Sequence, residues 1–141
     1  MSKTFDSLGV RFEYPDDWEI DLDELQQNEQ TVSVYGPNES FWSLQINPID
    51  IEPQEMVDQA LRVMEEEYAD LEAEAVSEEV GNHQLTGYDM SFVCLDLTNS
   101  AEVRAFRNGT ASYLIFCQAE DRDYESAKDV FAAITATLVE E

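Results

Sequence analysis

Residues 112–119, Ser-Tyr-Leu-Ile-Phe-Cys-Gln-Ala, are apolar on both faces of a strand, with Tyr113, Ile115 and Cys117 on one and Leu114 and Phe116 on the other. Strand side chains alternate between the two faces of a sheet, so this strand is expected to be central and covered on both sides. Two amphipathic segments are available as covers. After Glu52-Pro53, the residues Met56, Val57, Ala60, Leu61, Met64, Tyr68 and Leu71 recur at helical spacing, which predicts a helix over 53–70. Glu65, Glu66 and Glu67 cross its solvated side. Tyr124, Ala127, Phe131, Ile134 and Leu138 predict a second helix over 121–138, with Asp121 or Asp123 as N-cap.

The other segments read as strands joined by tight turns. Val10, Phe12 and Tyr14 alternate over 9–14 until Pro15 closes the strand. Asp16-Asp17 supplies a turn, and Trp18 and Ile20 begin a short second strand. Residues 23–30 are polar and loop-like. Thr31 to Tyr35 and Phe41 to Ile46 flank the turn Gly36-Pro37-Asn38-Glu39, and Pro48 ends the second of them. A strand over 72–80 meets Gly81-Asn82. A long strand carrying Tyr88, Met90, Phe92 and Cys94 is expected to run to Leu97, where Thr98-Asn99-Ser100 turns the chain. Val103 to Arg107 then leads into Asn108-Gly109, a strong hairpin signal. Hairpin loops imply antiparallel pairing. The fold class is α+β, an antiparallel sheet flanked by helices in an α/β/α sandwich, and residues 1–141 read as a single domain.

Charge narrows the range of partners. Seven Lys and Arg stand against 32 Asp and Glu, a net charge of -25 at pH 7. Nucleic acid and anionic membrane surfaces both demand basic clusters, so neither is expected as a partner. A solvated acidic surface, a basic protein and cations remain open. With no apolar leader and no lipoprotein-type cysteine near the start, the expected location is the cytoplasm. Cys94 and Cys117 lie in apolar runs and read as buried free thiols; pairing across neighbouring strands is the alternative.

No catalytic constellation is found, and no catalytic, cofactor-binding or metal residue is assigned. His83 falls in the turn after Gly81-Asn82 and reads as solvent-exposed. Asp16-Asp17 and Asp21-x-Asp23-Glu24 offer oxygen ligands without the spacing of a calcium loop. Asp96, between Leu95 and Leu97, is expected to pair with Arg104 or Arg107 across a hairpin. Trp18 and Trp42 read either as core or, with Asp16 and Asp17, as a candidate partner-binding patch.

The pattern Phe12-x-Tyr14-Pro15-x-x-Trp18 resembles the opening of the PsbP/Mog-like superfamily, including its DcrB-type bacterial members. The likeness extends to the helix with Tyr68, the long strand meeting a hairpin at Asn108-Gly109, and Tyr113-Leu114-Ile115 running into the last helix. The resemblance implies an antiparallel sheet between helices and membership of a mostly non-enzymatic group. Within it, PsbP proteins assist the oxygen-evolving complex, Mog proteins bind the Ran GTPase, and many bacterial relatives are uncharacterised. It carries no binding residue over to this chain. The expected function is a non-enzymatic interaction module whose protein partner has a basic surface. The alternatives are a secretion-type chaperone holding a client chain and, behind it, a small-ligand or enzymatic domain.

Overall fold

The computed structural model describes residues 2–27 and 30–140. Its strands are β1 (Ser2–Ser7), β2 (Val10–Pro15), β3 (Glu19–Ile20), β4 (Thr31–Tyr35), β5 (Phe41–Asn47), β6 (Glu72–Val80), β7 (His83–Cys94), β8 (Leu97–Arg107) and β9 (Ser112–Glu120). Its helices are α1 (Leu22–Gln27), α2 (Pro53–Glu67) and α3 (Asp121–Val139). A short 3-10 turn, Pro37–Glu39, joins β4 to β5. Seven strands pair antiparallel in the order β3-β4-β5-β9-β8-β7-β6, while β1 and β2 pair only with each other. The α+β sandwich is therefore observed, with β9 inside the sheet between β5 and β8.

Each face of the sheet buries its own cluster. On one side, α3 and the β1–β2 hairpin share a layer and enclose Phe12, Trp42, Leu44, Ile115, Phe131 and Ile134. On the other, α2 covers Met90, Phe92, Val103 and Ala105 with Met56 and Val57. The helix is drawn toward β7 by polar contacts: Tyr88 donates to Asp58 at 2.6 Å and Thr86 to Gln54 at 2.7 Å. Tyr68, just past the helix, packs against Phe92 with ring centroids 4.4 Å apart.

The Tyr-Pro-x-x-Trp opening is a packing device. The Trp18 amide donates to the Pro15 carbonyl at 3.1 Å, closing a turn that swings the indole inward. There it meets Phe131 edge-on at 6.0 Å. Gly36 makes room, since a Cβ at that position would sit 2.5 Å from the Trp18 ring. Proline fixes the backbone before the turn, and the missing side chain opposite admits the ring.

Several expectations need correction. The first strand was not anticipated; it reaches the core only through Phe5 and joins β2 through Leu8 and Gly9, at φ 54° and 78°. Two left-handed residues are what a two-residue hairpin turn of type I′ requires. The polar 23–30 segment holds α1, with the Glu24 amide donating to the Asp21 carboxylate at 3.0 Å, while Asn28 and Glu29 lie outside the described residues. The helix expected to reach residue 70 ends at Glu67.

The β7–β8 turn lies at Leu95-Asp96, not at Thr98-Asn99-Ser100. Both turn residues take positive φ, 54° and 65°, and Leu95 is left 88% exposed. Nothing in the letters Leu-Asp announces a left-handed turn, whereas Thr98, Asn99 and Ser100 stay in the ladder with Asn99 buried. At α3 the N-cap is Glu120, so Asp121 and Asp123 occupy the first turn, where negative charge suits the helix dipole.

Candidate functional site

The four candidate partner residues separate. Trp42 is fully buried and its indole N–H donates to Thr135 of α3 at 3.0 Å. Trp18 is 4% exposed. Both rings are spent on the core, so neither is offered to a partner. Asp16 and Asp17 stay exposed in the turn before β3.

Of the charged residues, Arg104 is the most enclosed. Its Nε meets Glu78 of β6 at 2.9 Å and its Nη2 meets Asp89 of β7 at 2.7 Å. Its Nη1 donates to the carbonyls of Tyr88 and Val103. Arg104 therefore ties β6, β7 and β8 together instead of pairing with Asp96. Arg107 contacts Glu52 at 3.3 Å. Burial opposes the Arg104 charge, but Asp89 and Glu78 outweigh it and its pKa rises. Beside it, burial raises the Glu102 carboxyl against the opposing pull of Tyr124 and Arg104. Tyr124 is raised as well, by burial and then by the Glu102 carboxylate that accepts its hydrogen bond.

Glu78, Asp89, Glu102 and Arg104 line a cleft of about 320 Å³ between α3 and the sheet, with Cys117 at its floor. Its chemistry is structural. Arg104 has its donors committed, Tyr124 is held as a donor, and burial pushes the Cys117 thiol well above its ordinary range, away from the reactive thiolate. Gly87 makes the close strand approach here: a Cβ would fall 1.8 Å from the Val103 carbonyl oxygen. An isolated glycine inside a strand pattern is the sequence signal for such an approach.

The cysteines face opposite ways. Cys117 belongs to the α3-side core, while Cys94 packs with the α2-side cluster and accepts a contact from the Tyr68 hydroxyl at 3.7 Å. With β8 between their strands, they cannot form a disulfide. His83 opens β7 half-buried, edge-on to Phe106 at 5.4 Å, and is not the exposed turn residue expected. Asp21 caps α1. Among the described residues no helix is long and apolar enough to cross a membrane.

The surface that stands out was not singled out in the sequence. Because α2 lies over β7 and β8, it leaves part of β4, β5 and β9 uncovered on its own side. Leu114 and Phe116, expected to be covered, are only half-buried there. Tyr35 and Phe41 are paired directly across β4 and β5, their rings 5.8 Å apart. Phe41 then stacks on Phe116 at 6.0 Å. The row runs into a groove of about 470 Å³ whose helix wall includes Met56, Val63 and Met64, with Val63 57% exposed. Methionine and aromatic side chains in such a groove adapt to apolar partners of varied shape.

Acids rim this row. Tyr35 is raised in pKa by burial and then by the charges of Asp21 and Glu24. Its cross-strand partner is Glu19, which follows the Asp16-Asp17 turn closely. Glu55 and Glu66 flank Gln59 and Val63 at helical spacing on α2. Apolar contact area with a negative border is the resulting chemistry. The available signal was the aromatic pair bracketing the 36–39 turn; the offset of α2 has no sequence signature.

No protein-family model and no curated protein sequence matches this chain. Solved structures do. Cyanobacterial PsbP (CyanoP) from Synechocystis sp. PCC 6803 superposes with a TM-score of 0.65 at 12% identity, over 96% of this chain and 90% of that one. A Pseudomonas aeruginosa protein of unknown function, described as a putative regulator, gives 0.59 at 12% identity over 97% and 95%. LpqN of Mycobacterium tuberculosis, involved in cell envelope biogenesis, gives 0.55 at 14% identity over 95% and 87%. The agreement spans nearly the whole chain, and this protein has a PsbP-like fold.

Proposed function

We propose that this chain is a non-enzymatic protein-interaction module that takes a partner combining apolar side chains with basic charge. The observation that carries the reading is the aromatic row Tyr35–Phe41–Phe116 opening into the groove beside α2, with acids around it. An apolar centre excludes water from the contact, and a charged rim steers encounter and orientation. A net charge of -25 favours basic partners and disfavours self-association. The committed Arg104 cluster supports a non-catalytic role. We place the module in the cytoplasm, a reducing compartment in which its two unpaired thiols would persist.

The test is capture from lysate at low and high salt, comparing the wild-type protein with a Phe41→Ser/Phe116→Ser variant. A basic protein held at low salt should be lost at high salt, and lost from the variant at low salt. Equal retention by the variant would remove the groove from the account.

A further inference from the structure

The two ends of the sheet are finished differently. At one end, β3 is two residues long. At the other, β6 runs for nine residues, Glu72–Val80, and pairs residue for residue with β7 from Glu72↔Ser91 to Val80↔His83. No residue of β6 is buried. Its register has no bulge, and the strand contains no proline, so two usual protections of an open edge are missing.

In an antiparallel ladder every second residue directs its N–H and C=O away from the neighbouring strand. The two-residue turn Gly81-Asn82 makes Val80 and His83 the closing hydrogen-bonded pair, so the outward-directed residues are Ala73, Ala75, Ser77 and Glu79. Three of these four carry small side chains, which leaves their backbone groups open to an approaching strand. On the opposite face stand Glu72, Glu74 and Glu78, with Glu78 engaged by Arg104.

We propose that the β6 edge accepts an extended segment of another protein, bearing Lys or Arg at alternate positions, as an additional antiparallel or parallel strand. Backbone hydrogen bonds from Ala73, Ala75 and Ser77 hold the segment, and Glu72 and Glu74 select its charge. A second copy of this chain is disfavoured by the same residues, because edge-to-edge pairing would set glutamate rows against each other. The inference rests on the reading of the chain as an interaction module. It uses neither Phe41 nor Phe116, so either proposal can fail while the other stands.

The probe is a fluorescent peptide of alternating lysine and valine, titrated into the full chain at low salt, with amide hydrogen exchange as the structural readout. Saturable binding should slow exchange at Ala73, Ala75 and Ser77. Ala75→Pro removes one outward N–H without touching the β7 ladder and should weaken binding at least about tenfold. Glu72→Lys/Glu74→Lys should weaken it comparably, and an alternating glutamate–valine peptide should not bind. Binding indifferent to Ala75→Pro, protection appearing elsewhere, or no binding at all would each overturn the proposal, the last leaving the glutamates as guards of the edge.

Discussion

The two faces of the central sheet are covered by single helices that do different things. On the α3 side the β1–β2 hairpin completes the layer, and the enclosed cluster holds both tryptophans. On the α2 side the helix is pulled over β7 by Tyr88–Asp58 and Thr86–Gln54, and nothing among the described residues fills the space beyond Phe116. A helix of fixed width covers a limited number of strands, so a wide sheet needs either a second covering element or an open strip. This protein has one of each.

If that contrast is correct, truncation on the closed face should be far costlier. Trp42→Ala removes a fully buried ring and strands the Thr135 hydroxyl; it should cost about 3–5 kcal/mol in denaturant unfolding. Arg104→Ala unties three strands, but Glu78 and Asp89 are roughly half-exposed, so water relieves part of the loss. A cost of about 2 kcal/mol, read from the urea midpoint, is expected. Phe41→Ser on the open strip should cost less than about 1.5 kcal/mol while abolishing partner capture. A cost matching that of Trp42→Ala would mean the strip is core after all.

The smallest expected effect concerns pH. Glu102 is raised above its ordinary value by burial, so the folded state holds its proton more tightly than the unfolded chain does. The stability linked to that proton is present at low pH and is lost as pH rises through the folded value. Glu102→Gln, which still accepts from Tyr124, should therefore melt above wild type at neutral pH. The gain should close as pH falls toward 4.5, and a gain that persists there would place its origin elsewhere.

Much of this architecture was readable because alternation and helical spacing report which residues are inside. Both long helices, the β4–β5 hairpin and the double-faced β9 follow from that, as does the likeness carried by Phe12 to Trp18. What escaped depended on contacts between distant segments. The lateral position of α2 depends on where Met56 and Val57 find Met90 and Val103 and on Asp58 and Gln54 meeting β7, and no property of the helix alone announces it. Asp96 was expected to seek an arginine because the turn at Leu95-Asp96 was hidden; Arg104 instead found Glu78, 26 residues away in sequence. The tryptophans were left undecided because alternation shows a side chain's face without showing whether that face is covered.

The packing of α3 against β2 also has a consequence for how the chain is made. Glu13 donates its amide to Thr137 at 2.9 Å across a separation of 124 residues, and β5, paired early with β4, finds its second neighbour only in β9. During synthesis the segments up to β5 leave the ribosome with their apolar faces unmatched, and the larger core cannot close until the last helix emerges. For that interval Phe12 and Trp42 are exposed to whatever the cell offers. Like negative charge on unfinished copies disfavours their association until residues 121–139 arrive.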